Sequence, residues 1–172
     1  CSICMIILET ERLILRTFTV DDAAFYFDLW KQASWIQYIG DKKFRSVDDA
    51  RQSLINGPMK MYADKGFSLY LITLKDNTPI GMCGLIKRDT LDDVDIGYGL
   101  LSAYEGKGYT VEAATAVMAY AKKGLGLRRV VAITVSDNKK SISLLEKIGM
   151  HYEKIVKAPN DDTQLMLFAA EI

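Results

Sequence analysis

Two glycines, Gly106 and Gly108, flank Lys107 at the point where a strand-like run gives way to a helix-like one. Glycine lets the backbone come close to a ligand. The first turn of a helix presents unpaired N–H groups and a partial positive charge, together an anion site. Lys107 adds a cation, and a diphosphate is the natural occupant. A Gly-x-Gly pair also suits a tight turn between a strand and a helix that pack closely, and that reading stands beside the ligand one. Two other phosphate motifs do not fit, because there is neither a Gly-x-x-x-x-Gly-Lys-Ser/Thr loop nor a Gly-x-Gly-x-x-Gly followed by an acidic residue after the next strand.

A second polar group stands at Asn138, directly after the strand-like run that ends at Val135. Its amide can cap the helix that follows, or it can hydrogen-bond a ligand lying between two strands. Cys1 and Cys4 have Cys-x-x-Cys spacing, but the chain holds three cysteines and one histidine, His151. A zinc site takes about four ligands, so no metal is expected. Cys83 reads as a small buried apolar residue, and His151 as a solvated group at a strand edge.

The elements that must position these groups follow from periodicity. Residues 12–17 alternate charged and apolar side chains as a half-buried strand does. Thr19 offers an N-cap for a helix with Phe25, Leu29 and Trp30 on one stripe. Ser46 starts a second helix, expected to stop near Asn56-Gly57-Pro58, with a short helical stretch from Met59 to Asp64. Three strands follow, over residues 67–74, 80–87 and 94–101, and their short connections favour antiparallel neighbours. Residues 108–123 form a buried helix with glycine stops. Then come a strand at 128–135, a helix at 141–148 and strands at 152–156 and 164–169. That order is a mixed α/β layered domain.

The 172 residues suit one domain with a proper core. Lys plus Arg number 22 and Asp plus Glu number 22, so the basic excess of a nucleic-acid binder is missing. No apolar run reaches the roughly 18 residues of a membrane span. The apolar start lacks the flanks of a signal peptide, and an odd cysteine count does not suggest a disulfide framework. A cytoplasmic location is the expectation. Met5 is a natural initiator, so residues 1–7 read as an upstream extension plus the start of a strand, and residues 8–172 as the domain.

Taken in order, Gly106-Lys107-Gly108-Tyr109, Glu112-Ala113, the next strand, Asn138 through Ser141, and Glu146 to Met150 resemble the GNAT superfamily of N-acetyltransferases. The opening from Leu8 to Arg16, with Asp21 after it, resembles the ribosomal-protein N-terminal acetyltransferase branch. The resemblance implies a mixed, mostly antiparallel sheet of about six to seven strands flanked by about four helices. That sheet would splay between its fourth and fifth strands, residues 94–101 and 128–135, to admit acetyl-CoA. By the same resemblance, the pantetheine arm would pair with the backbone near Leu100 and Leu101. The pyrophosphate would sit on the N–H groups of Glu105, Gly106, Lys107, Gly108, Tyr109 and Thr110. Asn138 and Ser141 would contact the pantetheine or the region near the sulfur. Gly97 and Gly99 would mark a bulge whose freed N–H could hold the thioester carbonyl.

The implied activity is transfer of an acetyl group to an amine, either a protein N-terminus or a small molecule, by a monomer or homodimer. The attacking amine must lose a proton, and Asp95 is the candidate base, with Asp93 expected on its face. Trp35 and Tyr38 are the candidates for the acceptor pocket, and Trp30 is assigned to the core. Glu112 is expected to favour the start of its helix through the helix dipole. The sequence departs from the family at Ala103, where the phosphate loop usually begins with Arg or Gln, and at Leu145, where many members carry a tyrosine that protonates the leaving thiolate. Ser141, Tyr98 and Tyr104 are the candidate substitutes for that acid. The two departures keep open an alternative, a degenerate acyl-CoA-binding sensor without turnover.

Overall fold

In the computed structural model, which describes residues 3–158 and 161–172, the alternating runs become strands of one eight-stranded sheet. They are β1 (Ile6–Glu9), β2 (Leu13–Arg16), β3 (Leu69–Leu74), β4 (Pro79–Ile86), β5 (Asp95–Leu100), β6 (Arg129–Thr134), β7 (His151–Lys157) and β8 (Gln164–Glu171). Their order in space is β1-β2-β3-β4-β5-β6-β8-β7. Strand β1 adds one to the expected number. It begins at Ile6, within the stretch read as an extension plus the start of a strand, and just before it the Thr17 N–H donates to the Met5 carbonyl at 2.9 Å. Cys1 lies outside the described residues, and Cys4 is an exposed free thiol.

All neighbours are antiparallel except β5 and β6, which run parallel and are paired only at Asp95 and Val131. A parallel pair needs a long crossover, here supplied by α5 (Tyr109–Lys123). Past the Val131 N–H bond to the Val94 carbonyl, at 2.9 Å, the two strands diverge and a cleft opens. The splay expected between these strands is therefore present.

The bulge expected at Gly97 and Gly99 is not, because residues 95–100 pair with 81–86 in unbroken register. Glycine stands at 99 for a different reason: a Cβ there would run into the Trp35 ring.

Alanines at 113, 114 and 121, with Val117, let α5 lie close on one sheet face against Leu13, Leu15, Ile72, Ile80 and Ile96. Full burial of each larger aliphatic side chain in this layer contributes roughly 1.5–3 kcal/mol. The other face, at Leu71 and Met82, is covered by α1 (Ala23–Trp30), α2 (Ala33–Tyr38) and α3 (Val47–Leu54). Thr19 and Asp22 form a capping box ahead of α1. The Asp22 carboxylate also takes two hydrogen bonds from Arg16, at 2.8 and 2.9 Å.

Helix α2 is unforeseen in the sequence, since Gln32 opens it without a side-chain cap. The helix from Val47 does not stop at Pro58 either. It continues through a π-turn, Ile55–Met59, into α4 (Lys60–Lys65). Proline brings no N–H, and a wider turn absorbs the missing bond without breaking the rod. Helix α6 (Lys139–Lys147) completes the set, making five helical rods among the described residues where about four are expected.

Candidate active site

The glycine loop lies between a short 3₁₀ turn, Ser102–Tyr104, and α5. Gly106 has φ +76° and Gly108 has φ +82°, a left-handed backbone that side chains with a Cβ rarely adopt. The Glu105 N–H donates to the Ser102 carbonyl at 3.2 Å, so it is not free for a ligand as expected. Among the described residues the N–H groups of Gly106, Lys107, Gly108, Tyr109 and Thr110 have no backbone acceptor, and the α5 ladder begins with Glu112 donating to Gly108 at 3.1 Å. These donors and the helix N-terminus form a concentrated anion site.

A brace not foreseen from the sequence holds this loop. The Arg12 guanidinium donates to the Lys107 carbonyl at 2.9 Å and to Glu112 Oε1 at 2.7 Å, and lies 4.4 Å from the centre of the Tyr109 ring. Glu112 Oε2 also accepts from the Arg12 N–H at 2.9 Å and from the Thr10 hydroxyl at 2.5 Å. Burial pushes the Glu112 carboxyl up, but the Thr10 and Arg12 donors outweigh it and hold the group below the usual carboxylate range. Glu112 does sit in the first turn of α5 as expected, with a larger part to play than the helix dipole alone requires.

The cleft between β5 and β6 has a volume of about 720 Å³. Asp95, Tyr98, Asn138, Ser141 and Tyr38 all line it, so those expected site residues come together. The Tyr98 hydroxyl lies 2.5 Å from Ser141 Oγ. Burial pushes the Tyr98 phenol up to about 12, with the Ser141 contact opposing, so it carries its proton at neutral pH. Asp95 is 1% exposed. Burial pushes its carboxyl up to about 6, against the opposing pull of Arg88, whose Nε lies 3.3 Å from both carboxylate oxygens.

Asp93 does not join Asp95. It accepts from Arg129 Nε at 3.0 Å, and the same guanidinium also binds Glu153 and Glu171. The Asn138 side chain caps α6, accepting from the Ser141 N–H at 3.3 Å, while still lining the cleft.

Trp35 is not in the pocket expected for it, whereas Trp30 is in the core as expected while also lining the cleft. Trp35 is 2% exposed, stacks edge-on against Trp30 and donates from Nε1 to the Leu100 carbonyl at 3.3 Å. Trp30 is the one that reaches the cleft. The break between α1 and α2 turns Trp35 inward over Gly99.

The sequence profile of the acetyltransferase (GNAT) domain family matches residues 12–151. The chain belongs to the GNAT acetyltransferase family. It is an acyltransferase, as its named relatives are. An uncharacterized N-acetyltransferase of Bacillus subtilis, YoaA, is 30% identical over 155 residues, covering 88% of this chain and 86% of that protein. The [ribosomal protein uS5]-alanine N-acetyltransferase of Escherichia coli is 26% identical over 164 residues, covering 87% and 80%. Among solved structures, the RimL ribosomal L7/L12 alpha-N-protein acetyltransferase in complex with coenzyme A superposes with a TM-score of 0.83 at 20% identity, over 98% of both chains. At that identity the likeness speaks for the fold.

Within this GNAT chain, one amide stitches the cleft's edge. Gln32 Nε2 donates to the Leu29 carbonyl at 3.2 Å and to the Leu100 carbonyl at 3.1 Å, while its Oε1 accepts from the Ser102 N–H at 2.7 Å. Leu101, expected to face the coenzyme, has its N–H bound to the Ile80 carbonyl at 2.8 Å. Alternation along an antiparallel ladder then turns the backbone groups of Leu100 and Tyr98 toward the cleft. Leu145 is fully buried in the core and Ala103 is exposed, so neither supplies a polar group to this GNAT site. Cys83 is buried, which pushes its thiol up and leaves it unreactive.

Proposed function

We propose that this chain transfers the acetyl group of acetyl-CoA directly to a primary amine, on a protein N-terminus or a small molecule. The observation that carries the reading is the diverging pair β5 and β6, which opens a cleft lined by Asp95, Tyr98 and Ser141, with α5 and its glycine loop following directly on β5. The N–H groups of Gly106 to Thr110 would hold the pyrophosphate. The Tyr98 backbone and the Leu100 N–H would pair with the pantetheine arm, with Asn138 and Ser141 beside it. The coenzyme supplies an activated thioester.

Asp95 would take the proton of the attacking amine. A carboxyl near 6 is ionised at neutral pH and more basic than an ordinary one, which suits a general base. The Tyr98 hydroxyl would give its proton to the departing thiolate and recover one through Ser141, whose Oγ it touches. The named relatives that act on ribosomal proteins support a peptide N-terminus as acceptor.

Calorimetry with acetyl-CoA tests the reading first, on the wild type and on Gly108→Trp. At φ +82°, with Arg12 Nη2 only 3.3 Å from where a Cβ would stand, a tryptophan strains the loop and displaces its brace. Micromolar binding that is lost in a still-folded variant, followed by turnover of N-terminal peptides, supports the transferase. Binding without turnover of any amine points to the sensor alternative, and no binding by the wild type removes both.

A further inference from the structure

Two cations, Lys42 and Arg88, face the cleft alongside the carboxylates of Asp41, Asp95 and Asp161. Lys42, in the segment between α2 and α3, holds its ammonium 4.9 Å from the centre of the Trp30 ring, its one recorded partner among the described residues. Arg88, just past β4, touches Asp95 through Nε, and its two terminal nitrogens have no partner among the described residues. Both side chains line the cleft together with Asp95.

The other charged groups nearby are each held by backbone hydrogen bonds. The Lys87 ammonium is held by the carbonyls of Arg88 and Leu91, at 2.7 and 2.5 Å. Asp41 accepts from the Lys43 N–H at 2.8 Å, and Asp161 from the Thr163 N–H at 2.7 Å. Neither aspartate makes an ion pair with Lys42 or Arg88. Two cations that line one cleft favour an anion between them. An arginine with both terminal nitrogens free offers the fork that takes a carboxylate in two parallel hydrogen bonds.

Resting on the acetyl-transfer reading, we infer that Lys42 and Arg88 form an anion subsite for the acceptor, which is an amine that carries a carboxylate close by. Asp95 receives the amine end and the two cations receive the acid end, so the cleft wall is matched to both charges of the acceptor. The carboxylate has two sources, an acidic side chain just after a peptide N-terminus or the α-carboxylate of a free amino acid.

Steady-state kcat/KM on matched acceptors tests this with the intact chain. One arm compares C-terminally amidated peptides beginning Ser-Glu and Ser-Gln, and the other compares free serine with serinamide. In at least one arm the carboxylate form is expected to lead by about tenfold or more, the size of one charge-assisted pair. The arm that shows the preference names the source. Lys42 is exposed, so Lys42→Gln should fold, and it should shrink the ratio to near one. Lys42→Glu should reverse it.

An activity-free measurement runs in parallel. The acetylated carboxylate acceptor of the preferred arm should bind the wild type in the presence of coenzyme A more tightly than its acetylated amide counterpart, and Lys42→Gln should abolish the difference. Efficient acetylation of all four acceptors with no preference would overturn the subsite and leave the transferase standing. Acetyl-CoA binding with no acetylation of any amine would overturn the transferase instead.

Discussion

Replacing Asp95 by asparagine removes a buried charge and the proposed base in one step, so stability and activity should move in opposite directions. Burial raises this carboxyl from 3.8 to about 6, a difference of about two units and so worth about 3 kcal/mol between its two protonation states. The folded chain binds this proton more tightly than the unfolded chain does. The site's contribution to stability is therefore complete below about pH 4 and is lost as pH rises through about 6. Asparagine keeps the position neutral at every pH.

The variant should match the wild type near pH 4 and exceed it by up to about 3 kcal/mol at pH 8. For a domain of this size that is on the order of 6–12 °C in Tm. Calorimetric melts of both proteins at pH 4.5 and pH 8 measure it, and subtraction cancels every other titrating group. Turnover of the variant should fall about a hundredfold or more, while wild-type kcat/KM should decline below pH about 6. A variant no more stable at pH 8 than at pH 4.5, relative to the wild type, would refute the burial argument. An unchanged acid limb in the variant would remove Asp95 as the base.

Arg12→Ala should weaken acetyl-CoA binding about tenfold by calorimetry, because the loop loses its bond to the Lys107 carbonyl. It should lower stability by only about 1 kcal/mol, since the Arg12 side chain is exposed and Glu112 keeps the Thr10 hydroxyl as a donor. Tyr98→Phe should lower kcat with little change in KM, and burst kinetics with a thiol-detecting reagent would show whether loss of the leaving-group proton is responsible; Ser141→Ala should give a smaller fall in the same direction.

The parts of the site that could be read in the sequence are local. Gly106, Gly108 and Asn138 act through the backbone of their own turns, so spacing alone locates them. The strand and helix order was equally legible, because each element carries its own apolar period. What failed depended on contacts across the fold. Asp95 can be named as the candidate base from the sequence, but its burial cannot, because Asp92 and Asp93 beside it are the neighbours of a solvated cluster. Only its place in the β5 ladder, opposite Ile86 and beside Val131, shows it to be buried. The burial of Trp35 turns on an uncapped break at Lys31 and Gln32, which resets the helical phase without leaving a mark in composition. Asn56-Gly57-Pro58 carries every local stop signal, and packing of the rod overrides all three. Gln32 and Arg12 were invisible as site residues because their partners lie 70 and 100 residues away.

That last separation bears on the order in which the chain acquires its function. The turn holding Thr10 and Arg12 leaves the ribosome about 100 residues before Glu112, an interval on the order of 5–20 s at ordinary synthesis rates. Until then the hairpin has nothing to clasp. Once Glu112 arrives, closing so long a loop still costs entropy before any contact repays it. The braced form of the glycine loop thus cannot precede the arrival of Glu112, and once formed it certifies that the first strands have docked. Any anion held on the proposed site would therefore stabilise only chains in which that clasp has closed.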